Sequence, residues 1–325
     1  MSLAFVLLAT SSDAFVANRH HGRHARGVLM TSSDPHLYKL AGSASMVSWT
    51  SCAIASLATY KPERVLHNTI GVAQACTALP LIWATTVCLA DESLACAQKR
   101  QLQLGLVVAS GWSCITVIWS PAFTSALVRT ADPVTYPLSL CLAAVLTHAG
   151  TLALCLRDWR QEVKDQSLWR VISSTIDSFF HIGPRGSFRP SEPEGIAVSV
   201  LAFLSLTFGT FTALAVFAPF PLATVPSLLG KRLARAFGAW LWLTSVVLYS
   251  LQDSRKAGLT IKPNSSVRLL ARGVRDMCAA HLGVGLMRVL LETSTVYPAA
   301  FACLPAVVAS VVIYALAFIA TGMLT

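Results

Sequence analysis

Residues 196–219 read IAVSVLAFLSLTFGTFTALAVFAP, a run of 24 residues without a charged side chain. A helix needs about 20 consecutive apolar residues to cross the hydrocarbon core of a bilayer. Inside lipid, only a helix or a closed barrel satisfies every backbone polar group. The run therefore predicts a transmembrane helix.

Similar apolar runs lie on both sides of this one. The seventh run is the weakest, because several charged residues interrupt it, and a short apolar segment at the N-terminus could add a ninth helix. We therefore predict an all-α fold, a polytopic integral membrane bundle of about eight transmembrane helices, within a range of seven to nine. The eight predicted spans are 41–59, 68–90, 103–125, 134–156, 196–219, 236–252, 269–291 and 298–322.

Composition supports the same class. Hydrophobic residues make up 54% of the 325 residues and charged residues only 12%, whereas soluble domains carry about 25% charged residues. A soluble protein, a disordered chain and a nucleic-acid binder are excluded despite the net charge of +10. Most lysines and arginines fall in loops on one predicted side, which indicates that both ends of the eight-helix core are cytoplasmic. The lipid bilayer is thus the first predicted partner.

Four regions follow from this span order. Residues 1–40 form a signal-like or anchor segment with a basic tail, and cleavage and retention both stay open. Residues 157–195 form a cytoplasmic linker with an amphipathic interfacial helix. This linker separates two four-helix membrane halves, 41–156 and 196–325. The Tyr-Pro pairs at 136–137 and 297–298 favour a parallel 4+4 repeat, although apolar helices also produce such similarities by chance.

Ionisable residues inside predicted spans are the first candidates for chemistry. Asp276 and His281 lie in the seventh span and would form an acid or proton-transfer site if both face the interior. Alternatively, Asp276 pairs with Arg272, four residues away, and only orients the helix. His148 lies mid-span in the fourth helix, as a proton acceptor or a hydrogen-bonded packing residue. Glu292 is an acid at a cavity mouth or a solvated loop residue.

Three tryptophans lie deep in predicted spans, where their faces could line an apolar substrate pocket or serve ordinary packing. They are Trp49, Trp83 and Trp112. No nucleotide-binding, zinc-peptidase, serine-hydrolase or diphosphate-binding motif is present in the sequence. We therefore predict no cofactor and no metal.

Residues 217–253 begin FAPFPLATVPSLLGKRLAR and end LYSLQD, and this segment resembles multispan membrane proteins of paxilline-type indole-diterpene clusters in filamentous fungi. The resemblance implies terpenoid secondary-metabolite biosynthesis at the endoplasmic reticulum, beside other membrane-bound pathway enzymes. It implies acid-initiated cyclisation of a lipophilic isoprenoid, or an accessory role. Asp276 or Glu292 would be the acid, the deep tryptophans would stabilise the cation, and His281 or His148 would accept the proton.

A shorter resemblance leads to a different setting. Phe217-Ala218-Pro219 is similar to a helix end in plastid membrane proteins of neoxanthin synthesis, which implies carotenoid chemistry in a plastid membrane.

Three functions therefore compete. The first is a membrane-bound terpene cyclase or isomerase, which the sequence favours narrowly. The second is a transporter that exports an amphipathic metabolite, which Pro80 and Pro305 support because they interrupt predicted spans. The third is a non-catalytic membrane scaffold for pathway enzymes.

Overall fold

A computed structural model describes residues 35–58, 73, 75–91, 94, 96–118, 138–162, 173, 193–214, 228–256, 266–293, 312 and 315. This part of the chain contains seven helices and no strand, which confirms the all-α fold class. Residues 1–34 of the predicted N-terminal segment, most of the linker and most of the eighth span lie outside the described residues, whereas residues 35–40 belong to the first helix. The helices are α1 (Pro35–Ala58), α2 (Leu79–Leu89), α3 (Cys96–Ile118), α4 (Leu138–Glu162), α5 (Pro193–Leu214), α6 (Leu228–Lys256) and α7 (Ser266–Thr293).

Among the described residues, one helical segment is long and apolar enough to cross a membrane, namely Ile196–Leu214 of α5. Helix α2 is apolar but shorter. The predicted number of about eight spans stays a prediction.

The second predicted span, 68–90, is interrupted in its middle. Helical backbone at Ala75 and Cys76 gives way to a turn at Thr77 and Ala78 before α2 begins. The Ala78 N–H donates to the carbonyl of Ala75 at 3.3 Å, a tight i−3 bond instead of the α-helical i−4 bond. Pro80 stands in the first turn of α2, where its missing N–H costs no hydrogen bond. Ala78 keeps a right-handed helical backbone (φ −78°, ψ −14°), and its carbonyl accepts from the Ile82 N–H at 3.0 Å. The interruption is therefore a local turn at the start of α2 and not an extended break.

Six helices make a closed circuit of contacts. In order around it, α6 packs against α3, α3 against α4, α4 against α1, α1 against α2, α2 against α7, and α7 against α6. Helix α5 packs mainly against α6, in the most extensive interface of the bundle. Each of the six helices in the circuit therefore packs against at least one helix that is distant in sequence, whereas α5 packs against its neighbour in the chain.

Hydrogen bonds show which helix ends lie together. Tyr38 near the start of α1 bonds to Asp158 near the end of α4. Ser250 in the last turns of α6 bonds to Gln101 near the start of α3. Ser266, the first residue of α7, bonds to Asp91 just after α2. The helices therefore alternate in direction, as the order of the predicted spans requires.

Glycine allows close approach of α5 and α6. A Cβ atom on Gly238 would lie 2.5 Å from the backbone nitrogen of Ala213, and one on Gly209 would lie 2.8 Å from the carbonyl oxygen of Gly238. Neither position has room for a larger side chain. Small residues at helix contacts are characteristic of membrane bundles, where packing replaces the hydrophobic effect as the driving force.

The bundle exposes large apolar side chains and buries polar ones. Leu40, Val47 and Ile54, spaced seven residues apart, lie exposed along one face of α1, and Phe203 is exposed on α5. The interior contains many polar side chains, among them Gln98, Gln101, Gln103, Ser110, Ser113, His148, Thr151 and Asp158. The apolar core of the bundle thus also holds polar side chains, and part of the outer surface is apolar, unlike the polar outer face of a typical water-soluble helix.

Candidate functional site

One buried polar cluster joins three helices where α1 and α3 begin and α4 ends. The indole Nε1 of Trp159 donates to Oε1 of Gln103 at 2.9 Å. Because indole nitrogen can only donate, this bond turns the Gln103 amide so that Nε2 faces Tyr38, at 3.1 Å from its hydroxyl. The Tyr38 hydroxyl donates to Oδ2 of Asp158 at 2.7 Å. We call Tyr38, Gln103, Asp158 and Trp159 the end network.

The end network surrounds an acid that is only 6% exposed. Oδ2 of Asp158 accepts from Tyr38, and Nε2 of Gln103 lies 3.5 Å away. Oδ1 accepts no hydrogen bond and lies 3.6 Å from the guanidinium of Arg157. Burial, together with nearby Cys155 and Asp158, raises the pKa of Tyr38, so its phenol stays protonated and donates. One carboxylate oxygen is thus held by donors, and the other is buried without one.

A second cluster lies deeper in the bundle and joins α1, α4 and α6. The indole Nε1 of Trp49 donates to Nε2 of His148 at 2.7 Å. The ring of Trp240 lies on the other side, with its centroid 4.9 Å from that of the imidazole. An Nε2 that accepts a hydrogen bond carries no proton, so His148 is neutral here with its proton on Nδ1. Trp49, His148 and Trp240 form what we call the Trp–His layer.

His148 is 1% exposed, and its Nδ1 has no hydrogen-bond partner. A buried N–H without a protein partner is uncommon and is explained by a ligand, an ordered water or strain. Nδ1 of His281 is buried without a partner as well. Of the side chains that the sequence proposed for chemistry, His148 is the one that the structure surrounds with aromatic rings from other helices.

The interruption of the second span lies next to the Trp–His layer. The thiol of Cys76, just before the turn, is 3.4 Å from the backbone carbonyl oxygen of Trp49. Trp49, Ala78, His148 and Trp240 all lie within about five residues of the middle of their predicted spans. Broken helix, aromatic rings and buried imidazole therefore meet at one depth.

The structure places Asp276 on the outside of α7. Its side chain is 56% exposed, and Oδ1 lies 3.6 Å from Nε of Arg275, so its ion-pair partner is Arg275 and not Arg272. His281 stacks on Phe237 of α6, with ring centroids 4.8 Å apart. Five helical residues separate Asp276 from His281, which places them on different faces. The condition for their joint role, that both face the interior, is not met.

Glu292 lies in the last turn of α7, and its side chain is outside what the structure describes. The three predicted pocket tryptophans lie apart. Trp49 belongs to the Trp–His layer, the Trp112 ring is 5.9 Å from that of Trp242, and Trp83 is 38% exposed on α2. Trp240, which has no role in the sequence analysis, lies with Trp49 against His148. A substrate pocket lined by Trp49, Trp83 and Trp112 stays a prediction.

Two important residues were missed by sequence reasoning. Asp158 lies two residues beyond the predicted end of the fourth span, within the predicted linker 157–195, yet α4 continues to Glu162 and keeps it in the bundle. Trp240 had no assigned role. One signal pointed to the end network: Gln98, Gln101 and Gln103 cluster at the start of an otherwise apolar helix, where unpaired amides would be costly.

Within the described ranges, no three His, Cys, Asp or Glu side chains lie close enough together to bind a metal ion. No family model, curated protein or solved structure matches this chain. The resemblances to indole-diterpene and neoxanthin proteins therefore stay predictions.

Proposed function

We propose that the chain is a multi-pass membrane protein of about eight spans. The apolar outer faces of α1 and α5 suit contact with lipid, and the buried amides, hydroxyls and carboxylate would be poorly placed in a soluble bundle. Hydrogen bonds between helices supply part of the packing, as between Trp242 and Thr210 at 3.0 Å. The Gly209–Gly238 contact supports the same conclusion.

We further propose that this protein transports an amphipathic metabolite. The observation that carries the proposal is the interruption of the second span at Thr77–Ala78, beside the Trp–His layer. Secondary transporters bind substrate near the bilayer midplane, where discontinuous helices leave backbone groups free. Substrate pockets are mostly apolar with a few directed polar groups. The Trp–His layer has this composition, with two indole faces and one imidazole N–H.

The second candidate is the membrane isoprenoid cyclase that the fungal resemblance implies. Two observations favour it: the buried carboxylate of Asp158, and the aromatic faces around His148, which could shelter a cation. In this scheme Asp158 replaces Asp276 as the acid. However, Asp158 lies ten residues from His148 along α4, or about 15 Å, so acid and aromatic faces are well separated. This separation is why transport is the preferred function.

The cellular setting rests on the sequence. We place the protein in the endoplasmic reticulum membrane with both ends of the core cytoplasmic, in indole-diterpene or meroterpenoid biosynthesis beside other membrane-bound enzymes. A plastid membrane and carotenoid synthesis are the alternative setting. The segment 217–253 supports the first, and Phe217-Ala218-Pro219 with the N-terminal segment supports the second.

Deletion of the gene, followed by metabolite profiling of cells and medium, tests the proposal. We expect the product to be made at its normal level but retained in the cells. Reintroduced wild-type protein should restore export, whereas Pro80→Ala should not, because alanine lets the helix continue through the turn. Pro35→Ala is the matched control, since Pro35 is the first residue of α1 and interrupts no span.

A different metabolite profile would overturn transport. Accumulation of an uncyclised isoprenoid precursor, with no product inside or outside the cells, would assign the cyclase function instead. Normal export from the Pro80→Ala strain at wild-type protein abundance would remove the role of the interrupted helix. Loss of several pathway enzymes from the membrane, with export intact in all variants, would indicate a scaffold.

A further inference from the structure

The Trp–His layer fixes the position of the proton on its imidazole. The indole Nε1 of Trp49 donates to Nε2 of His148 at 2.7 Å, and an indole nitrogen can only donate. Nε2 is therefore the acceptor, and the single proton of the neutral ring is on Nδ1. Trp49 thus acts as a positioning residue, because its bond makes Nδ1 of His148 a hydrogen-bond donor.

This donor lacks an acceptor. Nδ1 of His148 is buried and has no hydrogen-bond partner among the described residues. Hydroxyls one turn away along α4 and α6 donate within their own helices, from Thr151 to the carbonyl of Thr147 and from Thr244 to the carbonyl of Trp240, both at 3.0 Å. Water, a ligand or strain is left to explain the unpaired N–H.

Aromatic rings surround this donor and favour a ligand over water. The ring centroids of Trp49 and Trp240 lie 5.8 Å and 4.9 Å from that of His148, with the indole planes inclined to the imidazole by 42° and 43°. An internal water normally makes about three hydrogen bonds, and aromatic neighbours offer it few of them. A ligand with an apolar body and one acceptor atom suits both the indole faces and the N–H.

The charge of such a ligand is restricted by the helices that form the layer. These helices carry no charged side chain over residues 40–58, 138–156 and 236–252. On α7, Asp276 supplies no counter-charge to the interior, because it is exposed and lies beside Arg275. A charged ligand would lose its hydration here without gaining an ion-pair partner from these helices. The ligand that fits is uncharged.

The layer is closed in this structure. Trp49 is 5% exposed, and His148 and Trp240 are 1% exposed. A substrate therefore reaches Nδ1 only when a surrounding helix moves, as alternating access in a transporter requires. The Cys76 thiol, just before the turn in the second span, lies 3.4 Å from the carbonyl oxygen of Trp49. The interrupted span thus borders the residue that positions the donor.

We propose that Nδ1 of His148 is the donor that selects the substrate, and that the substrate is a neutral, largely apolar molecule with a carbonyl or ether oxygen. This inference rests on the proposed transport function and names the substrate class of the same site. Trp49 holds the donor in place, and Trp49 and Trp240 contact the apolar body. A hydrocarbon without the oxygen leaves Nδ1 unpaired, and a carboxylate brings an uncompensated charge, so both bind more weakly.

Three tricyclic probes that share one ring frame test this selection: 9-fluorenone, fluorene and fluorene-9-carboxylate. The full-length chain is placed in phosphatidylcholine nanodiscs, and binding is measured by equilibrium dialysis after subtraction of uptake by protein-free nanodiscs. We expect the wild type to bind 9-fluorenone about tenfold more tightly than fluorene. The carboxylate should bind no more tightly than fluorene. The ratio of the first two affinities is called the fluorenone preference.

Two amide variants separate the roles of the two ring nitrogens. Asparagine carries its amide nitrogen on Cγ, as histidine carries Nδ1, whereas the glutamine amide lies one atom farther out, close to the position of Nε2. We expect His148→Asn to keep a severalfold fluorenone preference and His148→Gln to lose it. His148→Gln should nevertheless unfold at the higher temperature, because its amide oxygen still accepts from Trp49. Binding and stability would follow the same variant if His148 were only a packing residue.

Trp49→Phe tests the positioning role. Without the indole donor the proton is no longer held on Nδ1, so the fluorenone preference should fall about threefold. His281→Gln is the matched control, because His281 is a second imidazole with an unpaired buried Nδ1, stacked on Phe237, which has no donor to fix its proton. Its fluorenone preference should equal that of the wild type.

Equal binding of 9-fluorenone and fluorene by the wild type would leave water or strain at Nδ1 and overturn the proposal. The same conclusion follows if His148→Gln keeps the wild-type preference. If the deletion strain retains its product while the preference does not depend on His148, transport stands and the donor assignment fails. If the deletion strain exports normally while the preference follows His148, the binding site stands and the transport function fails.

Discussion

The end network and the outer face of α7 each hold an aspartate in a helix that the sequence places in or beside the membrane. Asp158 is buried and accepts from Tyr38, with Gln103 oriented toward it by Trp159. Asp276 is exposed and has only the neighbouring Arg275 as an ion-pair partner. The two acids differ because α4 packs between α1 and α3, whereas α7 contacts α2 and α6 through its other faces.

The comparison teaches that position along an apolar run does not reveal the environment of a charge. Asp276 falls within the hydrophobic run of the seventh span, where the sequence predicts an interior acid, yet its side chain is exposed. Asp158 follows the fourth run and falls within the predicted linker, yet it is the buried one. Burial depends on the neighbours that a helix face meets, and those neighbours come from distant parts of the sequence.

The largest effect should separate these two acids. Asp158→Ala should lower the free energy of unfolding by about 3 kcal/mol, because it leaves the buried Tyr38 hydroxyl without its carboxylate acceptor and leaves a cavity in the end network. Asp276→Ala should change it by less than about 0.5 kcal/mol, as expected for an exposed ion pair. Unfolding in mixed detergent micelles measures both variants. Equal losses would mean that the two acids have the same environment.

A second, smaller effect should distinguish the packed and free faces of α7. A Cβ atom on Gly273 would lie 2.6 Å from Cβ of Ala84 and 3.2 Å from the carbonyl oxygen of Pro80, whereas one on Gly283 would meet nothing within 4 Å. Gly273→Ala should therefore destabilise by about 2 kcal/mol through overpacking.

Gly283→Ala is the matched control on the same helix. It should stabilise by about 0.5 kcal/mol, because alanine is the better helix former and space is open. Thermal unfolding of the two variants in one detergent gives the comparison. If both variants lowered the unfolding temperature, the helix would also be closely packed at Gly283, which contradicts the open space observed there.

The smallest effect should appear at the tryptophans. Trp49→Phe removes the donor to His148 Nε2 and leaves a buried acceptor unpaired, so it should destabilise by about 1 kcal/mol. Trp83→Phe, at a more exposed position on α2, should change stability by less than about 0.5 kcal/mol. His148→Gln should change the tryptophan fluorescence less in a Trp49→Phe background, where only Trp240 still contacts the imidazole, than in a Trp83→Phe background. An equal response at both positions would contradict the placement of Trp49 in the Trp–His layer.

Much of the helix placement could be predicted from local sequence. The start of α2 at Pro80, the small residues of the α5–α6 contact and the apolar outer face of α1 are local features, because proline chemistry, side-chain size and helical periodicity act over a few residues. His148 could be predicted as a buried candidate for the same reason, since a polar residue in mid-span is visible in the sequence alone.

The partners of these residues could not be predicted in this way. Trp49 lies 99 residues from His148, and Tyr38 lies 120 residues from Asp158. Hydropathy gives the length of a helix but not its rotation about its own axis, and rotation decides which face is buried. The exposed position of Trp83 and the stacking of His281 on Phe237 are consequences of that rotation.

The sequence by itself determined the all-α class, the alternating direction of successive helices and the interruption at Pro80, because each depends on composition or on local backbone chemistry. Tertiary structure alone decided that Asp158, and not Asp276, is the buried acid, and that Trp240 joins Trp49 around His148. Those outcomes depend on side chains from three helices meeting at one depth. Only the packing of the whole bundle fixes such a meeting.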